Sequence, residues 1–353
     1  MEPGIVQTVL GPVATGELGV TMPHEHLLLD EILPKFAPEF SSHVSAWRRA
    51  QWTEPLTLAN HYENRREGIL YRDNMALDSI AEAIAECADF RLHGGSAIVD
   101  LTSIGLGRDP VALRQISLAS GVHVVMGSGH YVFDYHRPDL AGLGADAIRD
   151  EIVAEARSGI TELGIRPGII GEVGLSWPVH PQEDKVARAC AQASAESGLA
   201  LSIHPGRSAE APLDACGRID RYGGDLSRTV IGHIDRTLFD IEDMDRLART
   251  GCYLEFDLFG QEEAYSPWNP GLAMPNDGMR IHAIMELAGR GFGDQLLISQ
   301  DIGSKARTQA YGGEGRSHIV KRVVPFMRML GAGDDLISQL LIANPARMLR
   351  LAG

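Results

Sequence analysis

Four histidines and two carboxylates stand apart because each closes or interrupts a short apolar run. His24 and His26 flank Glu25 at the end of ELGVTMPHEH, and Glu172 lies inside PGIIGEVG. His204 follows LALSI, His233 follows RTVIG, and Asp301 follows LLISQ. A His-x-His pair on a strand turns both rings to one face, as two ligands of one metal ion require. Glu172 makes the stronger demand. An unpaired carboxylate in an apolar strand is costly to bury, so it calls for a cation or several donors. Taken singly, His204 and His233 also read as hydrogen-bonded core histidines, and Asp301 as a helix cap. Their shared position, at the carboxyl ends of β-rich runs, favours one site holding all six.

Four imidazoles and two carboxylates exceed what one tetrahedral zinc can use, whereas two divalent ions sharing a carboxylate use them all. His24, His26 and Asp301 are assigned to the more buried ion, His204 and His233 to the more exposed one, and Glu172 to the bridge. A hydroxide completes that bridge. Zinc suits this ligand set first, with manganese, cobalt or iron as alternatives. The chemistry that follows is hydrolysis: the hydroxide attacks a carbonyl or phosphoryl centre, and the exposed ion polarises its oxygen. Asp301 takes the proton and returns it to the leaving group. His233 passes a proton toward solvent through Asp235, unless Asp235 caps the next helix.

A closed barrel can bring such residues to one rim. Apolar β-rich runs recur at 17–23, 95–102, 121–127, 167–173, 199–203, 228–232, 251–256 and 295–300. Amphipathic stretches such as 76–92, 144–163, 182–198, 209–222, 240–249, 278–291 and 317–330 alternate with them. This alternation predicts parallel βα units. Eight of them make a (β/α)8 TIM barrel, whose functional side chains gather where the strands end. An open doubly wound sheet fits less well, because no GxGxxG turn follows the first run. Residues 1–16 are expected to form a short hairpin, with 1–353 as one domain. Long loops at 30–75 and 257–279 shape the barrel mouth.

The segments LGPVATGELGVTMPHEHL, SIHPGR, VIGHIDR and LLISQDI resemble the phosphotriesterase family of the amidohydrolase superfamily, over nearly the whole chain. The resemblance implies a metal-bearing barrel, hydrolysis of phosphotriesters, lactones or acylated amines, the same six ligands, and a homodimer. Many members place a carbamylated lysine where this chain has Glu172. The run GEVGLSW is instead similar to the phosphotriesterase-related subgroup, also called resiniferatoxin-binding or parathion-hydrolase-like, in which glutamate supplies the bridge directly. That departure weighs against phosphotriesters and toward amides. A binding barrel for an apolar ligand, with little turnover, is the alternative.

Composition narrows the partners. With 32 Lys and Arg against 47 Asp and Glu, the net charge of −15 disfavours nucleic acid and anionic membrane surfaces. The four cysteines are widely spaced, no apolar run spans a bilayer, and no leader pattern opens the chain, so a cytoplasmic protein with a small-molecule substrate is expected. Tyr131 faces the hydroxide or substrate, or is a plain rim aromatic. Arg207 and Lys305 hold an acidic substrate tail, or are ordinary surface charges. Trp268, with Phe259 and Tyr265, belongs to a lid or a packed loop.

Overall fold

The computed structural model describes residues 4–32, 46–67, 71–262 and 272–352. The chain opens on an antiparallel hairpin, β1 (Ile5–Thr8) and β2 (Gly11–Ala14), paired from Ile5 with Ala14 to Thr8 with Gly11. The first barrel strand, β3 (Thr21–Glu25), starts later than the apolar pattern predicts. Residues Thr15–Glu17 form one 3-10 turn, and Gly19 at φ +67° redirects the backbone in a conformation that favours glycine. Two short strands, β4 (Leu29–Asp30) and β5 (Ala76–Leu77), pair antiparallel and tie together the ends of the long insertion after β3. Residues 76–77 therefore leave the helix expected at 76–92. That helix begins at Ile80, where Ser79 accepts a hydrogen bond from Glu82 N at 3.2 Å.

Seven more parallel strands follow: β6 (Ala97–Asp100), β7 (His123–Ser128), β8 (Ile169–Gly174), β9 (Ala200–His204), β10 (Thr229–Ile231), β11 (Tyr253–Phe256) and β12 (Leu296–Ile298). With β3 they form one eight-stranded sheet in sequential order, nearly closed into a (β/α)8 barrel. Helices Pro110–Ser120, Ala145–Ser158, Pro181–Ser197, Ala211–Arg221, Ile241–Ala248 and Asp277–Leu287 separate successive strands. The segment expected as one helix at 317–330 is divided: wider turns over Ile319–Val323 precede the regular helix Val324–Met329, whose second residue is Pro325.

No ladder joins β12 to β3 among the described residues. Side chains and one backbone hydrogen bond stitch that seam instead. His24 N donates to Ser299 Oγ at 3.1 Å, and Asp301 N donates to His24 O at 3.2 Å. Glu25, on the face opposite His24, accepts from Ser299 Oγ and Gln300 N, both at 2.9 Å, and pairs with Arg316 at 2.7 Å. The middle residue of HEH thus fixes the loop that carries Asp301.

Strand alternation divides the core. Ala97, Val99, Leu101, Val125, Ile169, Ala200, Val230 and Leu297 fill the barrel interior, plugged below by Val6 of β1 and by Met348 and Leu349. Ile98, Val124, Met126, Ile170, Leu201 and Ile231 point outward against the helices. Each such buried side chain contributes about 1.5–3 kcal/mol. No described helix is long and apolar enough to cross a membrane.

Candidate metal centre

The strand ends and the loops just beyond them bring six side chains to one point. His24 is on β3 and His26 just beyond it, Glu172 on β8, His204 at the end of β9, His233 beyond β10, and Asp301 beyond β12. All but Asp301 are buried; its side chain is 20% exposed and opens to the barrel mouth. Glu172 is central. Its Oε2 is 2.7 Å from His204 Nδ1, 3.2 Å from His233 Nε2 and 3.7 Å from His24 Nε2, and its Oε1 is 3.5 Å from His26 Nε2. Asp301 Oδ1 is 3.1 Å from His26 Nε2 and 3.7 Å from His24 Nε2. Bonds of about 2.0–2.1 Å in a tetrahedron give ligand–ligand edges of roughly 3.4 Å, the middle of this range.

Close backbone approach makes the convergence possible. Gly171 has φ +141°, and a Cβ there would meet Ser202 O at 2.7 Å, so only glycine lets β8 press against β9 and set Glu172 beside His204. His233 and Asp301 adopt left-handed φ of 55° and 49°. Such conformations cost non-glycine residues on the order of 1 kcal/mol and persist where surroundings over-determine them. Asp257 Oδ2 accepts from His233 N at 2.8 Å, Thr237 Oγ1 donates to His233 O at 2.8 Å, and His24 O holds Asp301 N.

Hydrogen bonds behind the rings orient the imidazoles. His233 Nδ1 faces Asp257 Oδ1 at 2.9 Å, and His24 Nδ1 faces Glu255 Oε2 at 3.0 Å and Asp257 Oδ2 at 3.1 Å. His26 Nδ1 faces Thr102 Oγ1 at 3.0 Å; that hydroxyl donates to Leu28 O, so it accepts from the ring. Each contact places the proton on Nδ1 and turns the Nε2 lone pair toward Glu172, the arrangement of a ligating histidine. His24 Nε2 is sealed from water with no hydrogen-bond partner among the described residues. An orphaned lone pair beside two carboxylates fits a cation.

Electrostatics agree. Burial pulls the His26 imidazole down, yet Asp301 and Glu172 outweigh it and lift its pKa from 6.5 to about 10. Burial opposes ionisation of Glu172, but His204, His233 and His24 hold its carboxyl well below the usual range. A pocket this negative concentrates positive charge. His204 is driven down to about 3, by burial and by the His233 and Arg236 charges, against the pull of Glu172.

Residues expected around the centre fall in three groups. Tyr131 and Arg207 line the mouth cavity, whose empty volume is about 1050 Å³. Tyr131 Oη sits 3.3 Å from His204 Nε2, on the outer edge of that ring. Lys305 does not line the cavity: its ammonium pairs with Asp73 at 2.7 Å and Asp78 at 3.2 Å. Trp268 and Tyr265 lie outside the described residues. Asp235 neither caps a helix nor meets the His233 ring; its Oδ2 accepts from Leu258 N at 3.1 Å and Arg280 Nε at 2.7 Å. The carboxylate behind His233 is Asp257. Sequence reading missed both Asp257 and Glu255, although two carboxylates at period two in YLEFD carry the same signal as Glu172. It also missed Arg236, three residues after His233, which donates to His204 Nε2 at 3.1 Å.

A family model described as "Phosphotriesterase family" matches residues 4–349. The N-acetyltaurine hydrolase of Bos taurus is 38% identical over 347 residues, covering 98% of each chain. The Homo sapiens protein of that name is 36% identical with the same coverage. Among solved structures, a resiniferatoxin-binding protein from Rhodobacter sphaeroides superposes with a TM-score of 0.92 at 35% identity, covering 99% of this chain and 96% of the other.

Proposed function

The chain belongs to the phosphotriesterase family of metal-dependent hydrolases, and from that footing we propose that it cleaves the amide bond of a small acylated amine at a binuclear centre. The observation that carries the proposal is the position of Glu172 between two sets of oriented imidazoles, with Asp301 facing the cavity. Two divalent ions, zinc first, would acidify a water and polarise the scissile carbonyl. His24, His26 and Asp301 would hold one, His204 and His233 the other, and Glu172 would touch both. The relatives named for N-acetyltaurine favour an amide over a lactone or phosphotriester.

The chain's own groups supply the proton steps. Asp301 Oδ1 faces His24 and His26, whereas Oδ2 is 3.7 Å from His233 Nδ1 and is the freer oxygen. Oδ2 accepts the proton of the attacking water and delivers it to the amine as the C–N bond breaks, so one water is consumed and an acid and an amine leave. Asp257 and Glu255 keep the imidazole lone pairs turned inward throughout.

A panel of acetylated amines, lactones and phosphotriesters offered to zinc-loaded protein tests this. Amides should turn over with the highest kcat/KM; a best substrate among the phosphotriesters would contradict it. The similarity to a resiniferatoxin-binding protein supports a second reading, an apolar-ligand binder, which requires tight binding and no turnover across that panel.

A further inference from the structure

Arg236 stands on the cavity wall beside His204, 6% exposed, and no carboxylate pairs with it among the described residues. Its Nη1 is sealed from solvent without a hydrogen-bond partner among the described residues. Among the described residues its one side-chain hydrogen bond is Nη2 to His204 Nε2, at 3.1 Å. That contact is not available to a working centre. Once the His204 Nδ1 lone pair is given to a metal ion, the neutral ring carries its proton on Nε2, and a guanidinium N–H cannot donate to an N–H. Tyr131 Oη, 3.3 Å from the same nitrogen, can accept that proton instead. Both terminal nitrogens of Arg236 then lack an acceptor among the described residues.

A buried guanidinium with its fork unfilled calls for a planar or tripodal anion. Arg207 lines the same cavity; burial first, then the charge of Arg236, lowers its pKa to about 9. The wall faces the cavity that opens onto Asp301, and only the His204 ring separates Arg236 from Glu172.

We infer that Arg236 sets the specificity of this site by anchoring an anionic group on the amine half of the substrate, the half that in N-acetyltaurine, for which the relatives are named, ends in a sulfonate. The assignment rests on the hydrolase reading above and adds the residue that selects the charge. Arg236 accordingly sets specificity through KM, whereas the chemical step belongs to the centre itself.

The test compares two acetylated two-carbon amines, one ending in sulfonate and one in hydroxyl, on wild type, Arg236→Gln and Arg236→Lys. For the sulfonate, Arg236→Gln should raise KM by about 100-fold or more and Arg236→Lys should recover part of that. For the hydroxyl compound, kcat/KM should change less than about 3-fold. Calorimetric titration with ethanesulfonate gives a readout independent of turnover: wild type should bind it and Arg236→Gln should not, with both proteins melting within a few degrees of each other. Equal losses on both substrates, or ethanesulfonate binding unchanged in both variants, would overturn the assignment. If wild type hydrolyses neither compound yet binds ethanesulfonate through Arg236, the anchor stands and the hydrolase reading falls.

Discussion

Replacing Asp257 with Asn should weaken one metal position and largely spare the other. Asp257 accepts three hydrogen bonds, from His233 Nδ1 at 2.9 Å, His233 N at 2.8 Å and His24 Nδ1 at 3.1 Å. Burial raises its pKa, but the His233 and His24 charges win and hold the carboxyl well below its usual range. Asparagine keeps one acceptor oxygen. If that oxygen serves His24 and the His233 backbone, the new NH2 opposes His233 Nδ1–H. The ring must then move its proton to Nε2, the atom that faces Glu172 and His204. A hydrogen bond to a charged group contributes about 1.5–3 kcal/mol, which corresponds to roughly 10–100-fold in affinity. His24 keeps Glu255 as a second acceptor at 3.0 Å and is cushioned. The position served by His204 and His233 should therefore lose roughly 10–100-fold in zinc affinity, and the position served by His24, His26 and Asp301 less than about 10-fold. Titration of metal-stripped protein with zinc against a chromophoric chelator resolves the two. Unchanged affinity at both positions, or a larger loss at the His24 position, would refute the reasoning.

Three further outcomes are expected. Glu172→Gln leaves a neutral amide that cannot bridge, so elemental analysis should find at most about one ion per chain and kcat should fall by on the order of 10³ or more; two ions retained would contradict the bridge. Asp301→Asn should keep most of the metal and lose on the order of 10²–10⁴ in kcat, so wild-type turnover would remove its proton-transfer role. His130 is 2% exposed, and burial, then the His136 and Arg137 charges, push its pKa down from 6.5 to about 3. Below pH 6.5 the unfolded chain binds a proton there that the folded chain refuses, so stability from this position falls with pH until about 3. Relative to His130→Asn, wild type should lose roughly 1.5 kcal/mol between pH 6.5 and 5 in urea unfolding, and parallel pH curves would exclude the effect.

The barrel was legible because short apolar, β-rich runs, buried on both faces, recur eight times in alternation with amphipathic stretches. Its starting edge was not: Gly19 and the Thr15–Glu17 turn shift the first strand by a few residues without changing the apolar pattern. The six inward residues could be found because polar types in apolar strands are conspicuous. Glu25 hides between two histidines, and its work on the Ser299–Arg316 side depends on a pairing 274 residues away. Arg236 and Lys305 look alike in sequence, each a cation a few residues past a strand. Only three-dimensional neighbours separate them, since Asp73 and Asp78 neutralise Lys305 while Arg236 faces the cavity. The left-handed backbones of His233 and Asp301 leave no trace in composition.

Anomalous diffraction from zinc-loaded crystals, collected on both sides of the absorption edge, bears on the binuclear centre without recourse to any substrate. Two peaks per chain are expected, one against His24, His26 and Asp301, the other against His204 and His233, with Glu172 touching both. A single peak, or two peaks with Glu172 bonded to neither, would contradict it.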